Sequence, residues 1–299
     1  MRLLRAATLA VSDPHASAAL YARWLDYAVV EDGPIPPDLA DCWGAPALSG
    51  KRQVVMRPAS GLPIFLRFVE QAATPGYAPL RTYGWNAIEI CIQDVAAVNA
   101  RMEQSPFEII GPPKPLEGVP GIFPMQVKGP VDSEIVYLTQ IDPIPEPVGL
   151  PKAQSLIDCL FILVMGCSDM AASERWMRET LRLDAGSTWT IPYTMIADAY
   201  GLPRDSLHTI CTVTHQGDSF FELDQYPDAA AARPAPEGGL PAGISMGSIL
   251  TPDFDAIDAA APGWIRPPSR LPGPVYAGGR SGVLRGPDGT LIEVIEIPA

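Results

Sequence analysis

Four times along the chain an apolar run ends in an aspartate followed by a helix-like pattern, at Asp13, Asp94, Asp169 and Asp253, which stand 75 to 84 residues apart. A repeat of that length constrains the fold more than any other feature, because each copy must be one supersecondary unit. Each Asp predicts an N-cap, its carboxylate accepting from the exposed amides of the first helical turn and complementing the helix dipole. Pro14 suits the first helical position.

The helices sort into two kinds. Offsets 7, 8, 11 and 12 carry Leu20, Tyr21, Trp24 and Leu25 after Asp13, and Trp176, Met177, Thr180 and Leu181 after Asp169. Offsets 1, 4 and 8 carry Val95, Val98 and Met102 after Asp94, and Phe254, Ile257 and Ala261 after Asp253. Both patterns place one apolar stripe against a sheet. The order of units is therefore A-B-A-B.

Between the helices lie short β-rich runs, at residues 53–57 and 64–69, 123–127 and 134–138, 208–214 and 220–224, and 282–295. Residues 215–218 and the Pro287-Asp288-Gly289 step read as turns. Many of the 34 prolines are clustered, which suits many short elements. Each unit is strand, helix, then about three strands, too small to bury a sheet face alone, so units must pair. The expected architecture is α+β, four βαβββ modules paired into two domains. The first spans 1–145 (modules 1–75 and 80–145) and the second 152–299 (modules 152–230 and 240–299), with a proline-rich connection from Pro143 to Pro151 between them.

With these units in view the chain resembles the vicinal oxygen chelate superfamily, which includes glyoxalase I, bleomycin-resistance proteins and extradiol dioxygenases. The best-matching stretches are 11–21, 168–176 and 286–296, the last of them the most specific. The resemblance implies curved sheets that enclose a cavity. It also implies a divalent metal held by His or Glu on the first and last strands of the modules. By offset, those positions fall on Ala6, Leu66, Ala87 and Val136 in the first domain. In the second they fall on Ile162 (or Cys159, if a bulge intervenes), Glu222, Met246 and Glu293. Both histidines of the extradiol pattern are absent, so ring cleavage by a two-His-one-carboxylate iron is not expected. Two carboxylates without imidazole call for no particular cofactor and leave room only for a divalent ion such as Mg, Mn, Fe or Zn.

Glu222 and Glu293, each inside an apolar strand, are the candidate catalytic pair and the candidate metal ligands. Facing one cavity, they would repel each other and one would hold its proton, giving an acid and a base. The competing reading is a strand carboxylate with solvent or an arginine for partner. His208 opens the strand that leads to the 215–218 turn and is a third catalytic candidate, whereas His15 and His215 read as surface groups. Glu89 reads either as lining a cavity or as an edge-strand surface group, and Trp85 as packing. The stretch 188–207 reads either as a lid or as a short helix packed on the rim.

These features favour an enzyme that acts on a small oxygenated molecule, aromatic ones included, by isomerisation, lyase or related proton-transfer chemistry; the alternative is a protein that sequesters such a molecule. Composition narrows the partners. The 299 residues carry 21 Lys plus Arg against 34 Asp plus Glu, a net charge of −13, which repels phosphate backbones and anionic lipids. No nucleic acid and no membrane is expected, and a homodimer is admitted. The longest run without a polar side chain, Cys159 to Cys167, falls far short of the roughly 20 residues a spanning helix needs. Ala6 to Val11 is too short for the roughly 7–15 apolar residues of a signal peptide. Five cysteines without a Cys-x-x-Cys pair suit buried thiols in a reducing compartment, and the expected location is cytoplasmic.

Overall fold

The computed structural model describes residues 2–116, 121–142, 149–260 and 262–297. The expected modules are present. The first comprises β1 (Leu4–Val11), α1 (Pro14–Trp24), β2 (Tyr27–Pro34), a short α2 (Pro37–Cys42), β3 (Arg52–Pro58) and β4 (Phe65–Glu70). The second comprises β5 (Gly84–Ile92), α3 (Val95–Met102), β6 (Glu108–Gly111), β7 (Ile122–Lys128) and β8 (Ile135–Ile141). The third comprises β9 (Ile157–Cys167), α4 (Met170–Leu181), β10 (Asp184–Pro192), α5 (Thr194–Tyr200), β11 (Leu207–His215) and β12 (Asp218–Gln225). The fourth comprises β13 (Gly243–Thr251), α6 (Phe254–Ala259), β14 (Ser269–Arg270), β15 (Arg280–Arg285) and β16 (Leu291–Glu296).

Local chemistry explains the element ends. The carboxylates of Asp13, Asp94 and Asp169 accept from backbone amides of α1, α3 and α4. Asp253 precedes α6 but makes no capping bond. Gln216 and Gly217 both have positive φ, the backbone of a two-residue hairpin turn between β11 and β12.

In every module the first strand lies parallel to the last and the other two strands follow outward. Two modules then join by antiparallel pairing of their first strands. Sheet I joins β1 to β13, modules one and four; sheet II joins β5 to β9, modules two and three. The sequential pairing of one with two and three with four is thus replaced by a nested one. An A-B-A-B order unites unlike modules under either scheme, so the helix patterns could not separate the two. The proline-rich connection lies mostly outside the described residues.

One large apolar cluster draws on both sheets and on α1, α3 and α4. Trp85 seals the contact between them, its indole N–H donating to the Leu291 carbonyl at 2.9 Å. A second cluster fills the hollow of sheet I, where Leu39, Trp43, Leu240, Val275 and Tyr276 cover Ala6, Val69 and Met246. The hollow of sheet II stays partly open, and this difference places the candidate site.

Candidate functional site

In sheet I, Thr8 and Arg67 share one rung of the central strands and Ser248 and Glu293 share the next but one, which puts all four on the same face. Glu293 is fully buried and accepts four hydrogen bonds. Trp43 Nε1 (3.0 Å) and Tyr276 OH (2.7 Å) donate to Oε1; Arg67 Nη2 (2.8 Å) and Ser248 Oγ (2.6 Å) donate to Oε2. A carboxylate offers about four lone-pair positions, so none is left for a metal or a substrate proton. Burial pushes the Glu293 carboxyl up, but the Arg67 charge and the Ser248, Trp43 and Tyr276 bonds bring it below its ordinary value. Burial disfavours the Arg67 charge in turn, and Glu293 and Tyr276 more than restore it. The guanidinium also donates to Thr8 Oγ1 and lies 4.4 Å from the Trp43 ring centroid. A fixed internal cation closes this hollow.

In sheet II, Glu89 on β5 and Glu222 on β12 line a cleft of about 560 Å3, its open mouth included. Thr139, Ile162 and Thr212 lie beside them, and Phe161, Trp189, Ile191 and Ile210 make much of the wall apolar. Thr139 Oγ1 donates to Glu89 Oε1 at 2.5 Å. Tyr193 OH donates to Glu222 Oε1 at 3.2 Å, and with that proton so used the Tyr137 hydroxyl, 2.9 Å away, donates to Tyr193. Asp224 follows two residues after Glu222 on the same face of β12 and is buried.

No ion pair is recorded for Glu89, Glu222 or Asp224 among the described residues, and all three hold protons more tightly than usual. Burial, then the Glu222 charge, push Glu89 up to about 8, against the Thr139 bond. Burial and then Glu222 raise Asp224 well above the carboxylate range. Burial raises Glu222 as well, while bonds from Tyr193 and Asp224 oppose it. Ionisation of one of these carboxyls disfavours ionisation of its neighbours, so the three titrate as a coupled set.

The sequence candidates separate accordingly. Glu222 faces the sheet II cleft and Glu293 the closed hollow of sheet I, so the two do not form a pair; nested pairing moved them apart. His208 is buried on β11, two residues before Ile210, and burial lowers its pKa. Since Thr212 is the residue opposite Glu222, His208 lies four residues along β11 from that rung, not beside Glu222. Its Nε2 has no hydrogen-bond partner among the described residues. Glu89 takes the cavity-lining alternative. Residues 188–207 form the end of β10 and the packed helix α5, with Met195, Ile196 and Ala197 buried, and contribute Trp189, Ile191 and Tyr193 to the cleft.

Three of the positions reached by offset, Leu66, Ala87 and Val136, pack in the core and not in either hollow. Leu66 faces the core between the sheets, and its neighbour Arg67 takes the hollow. Glu89 and Thr139 line the cleft where Ala87 and Val136 were expected. Arg67, Trp43, Tyr137 and Tyr276 were missed. The usable signal for Arg67 was a lone charge inside the apolar run 64–69.

In sheet I the residues do not fit the metal of the superfamily. The sheet I positions carry a guanidinium and a saturated carboxylate. Those of sheet II carry two glutamates and a threonine. Among the described residues the only three His, Cys, Asp or Glu side chains whose ligand atoms converge lie elsewhere. No helix is long and apolar enough to cross a membrane among the described residues.

No protein-family profile matches the sequence, and no curated protein matches it significantly. Solved structures do resemble it. Glyoxalase I from Zea mays is 15% identical with a TM-score of 0.64, over 99% of this chain and 92% of that one. A single-residue variant of the same Zea mays enzyme is 16% identical with a TM-score of 0.64, over 99% and 94%. A putative dioxygenase from Bacillus subtilis is 12% identical with a TM-score of 0.63, over 100% and 86%. Taken with the two nested eight-stranded sheets, these likenesses show that the chain has the vicinal oxygen chelate fold, in its two-domain glyoxalase-like form.

Proposed function

We propose that the sheet II cleft binds a small, oxygenated, largely apolar molecule and transfers a proton on it without a metal, Glu222 acting as base and protonated Glu89 as acid. The observation that carries this reading is a set of carboxyls, without a cation partner among the described residues, gathered at the partly open hollow of sheet II. Environments that push neighbouring carboxyls to different protonation states divide the acid and base roles between them. The Tyr137–Tyr193 chain holds the Glu222 carboxylate in place. Apolar walls suit an aromatic or aliphatic body, and thermal-shift screening of small enols, α-hydroxyketones and phenols would find it.

Proton transfer is then read by NMR in D2O. Wild type exchanges a carbon-bound hydrogen of the bound compound, and Glu222→Gln slows that exchange by about a hundredfold or more. Binding without exchange in wild type would overturn the catalytic reading in favour of sequestration. The plugged hollow of sheet I favours that second reading, since it shows that one of the two hollows has become a packed core.

A further inference from the structure

At the join of β5 and β9 the ladder is irregular. Between the pairs Ile90–Leu160 and Ile92–Ile157, β5 contributes Cys91 alone and β9 contributes both Asp158 and Cys159. A bulge that opposes two residues to one re-aims side chains, so consecutive residues can converge on one point. Here the Cys91 and Cys159 sulfurs and an Asp158 carboxylate oxygen lie within 4.8 Å of one another, all three residues buried. The sulfurs are 3.8 Å apart. Two thiolates on one tetrahedral Zn2+, each at about 2.3 Å, would also stand roughly 3.8 Å apart. A direct S–S bond would need them at about 2.05 Å.

Asp158 is held in place from two sides. Ser60 Oγ donates to Oδ1 and the Gln154 amide donates to Oδ2 at 2.7 Å. Each oxygen keeps a lone pair for a metal, in the manner of a ligand oriented by outer partners. Two thiolates and a carboxylate bring three negative charges against the two positive charges of the ion. The Arg2 guanidinium, which acts on Asp218 first and then on both cysteines, adds positive charge beside the site. Its Nη2 donates to the Gly149 carbonyl at 3.0 Å, and Nη1 has no hydrogen-bond partner among the described residues.

We propose that Cys91, Cys159 and Asp158 supply three ligands of a tetrahedral Zn2+ site, with a water as the fourth, at the junction of the second and third modules. It is separate from the sheet II cleft, which is lined by Ile162 and not by Cys159, the alternative ligand position of the sequence analysis. Thiolate sulfur selects Zn2+ over Mg2+ and Ca2+. Ser60 comes from the turn between β3 and β4 of sheet I, so a bound ion would also fasten one sheet to the other.

The test is titration of the reduced, metal-free full chain with Co2+, followed by Zn2+. The expected result is one equivalent bound, with a thiolate-to-cobalt charge-transfer band and intense visible bands of tetrahedral cobalt. Zn2+ should abolish both and raise the thermal midpoint. Cys91→Ser and Cys159→Ser should each weaken Co2+ binding by at least tenfold. Should those variants fail to fold, the near-isosteric Asp158→Asn decides: a tenfold loss of affinity supports the site and an unchanged affinity overturns it. No charge-transfer band in wild type at one equivalent would mean that the sulfurs share only a thiol hydrogen bond. A band that survives in folded Cys91→Ser would place the metal elsewhere.

Discussion

Glu293 and Glu89 are both buried carboxyls on central strands, and their surroundings send them in opposite directions. Glu293 has a guanidinium and three neutral donors, whereas Glu89 has one hydroxyl and a like-charged neighbour. Removing Arg67 leaves an unpaired buried charge, so Arg67→Ala should cost about 3–5 kcal/mol in urea unfolding at pH 7. An apolar replacement of both partners should cost much less. Because Glu293 is depressed, its contribution is present above the unfolded carboxylate pKa and is lost as pH falls through the folded value. Glu89 runs the other way. With a folded pKa of about 8, the native state binds more protons than the unfolded one from roughly pH 4.5 up to 8, so stability declines as pH rises across that window. Glu89→Gln should flatten this arm of the stability profile and be more stable than wild type at pH 8; an unchanged slope would show that Glu89 ionises freely. Glu222 was legible as a strand carboxylate amid apolar neighbours. Arg67 was not, because an offset count that slips one residue in a strand delivers the wrong face, and Leu66 was read in its place.

Among the elements, the aspartates that mark the repeat do not all act alike. Asp94 accepts from the amides of Ala96 and Ala97 at 2.9 and 3.0 Å, whereas Asp253 has φ −99° and ψ 22°, outside the extended conformation that turns a side chain back onto its helix. Asp94→Ala should therefore cost about 1 kcal/mol and Asp253→Ala close to nothing, as read by chemical denaturation. Equal losses would show that the four positions are equivalent in solution. The helix stripes were readable because a 3.6-residue period survives in a single sequence, and Val98, Met102, Met177, Leu181, Phe254 and Ile257 are buried as their spacing predicted. The 215–218 turn was readable for a comparable reason, since Gln-Gly supplies two positive φ values in a row. Strand register carried no such marker. Bulges at the β5–β9 and β1–β13 joins shift it locally, and nothing in the composition of those strands announces them.

At the scale of the whole molecule, nested pairing makes each half of the chain incomplete. Residues up to 142 supply one module to sheet I and one to sheet II, and residues from 149 onward supply the others. Separated, the halves would expose β1 and β5 on one side and β13 and β9 on the other, along apolar strands buried for nearly their whole length. The core between the sheets would open too, since Leu9, Leu66 and Phe68 pack in one cluster with Ile88, Leu163 and Phe221. Each half expressed alone should aggregate or exchange modules into an oligomer, whereas the two co-expressed should give a one-to-one complex with the far-UV spectrum of the intact chain. Size-exclusion chromatography and urea unfolding distinguish these outcomes. A half that ran as a monomer and unfolded in one cooperative step would mean that neighbouring modules can pair directly, and the sequential arrangement would then be a competing fold of the same chain. The nested arrangement also bears on the cleft. Glu89 and Glu222 come from different halves, so a reassembled complex that bound the wild-type ligand would require both halves to have found their places in sheet II.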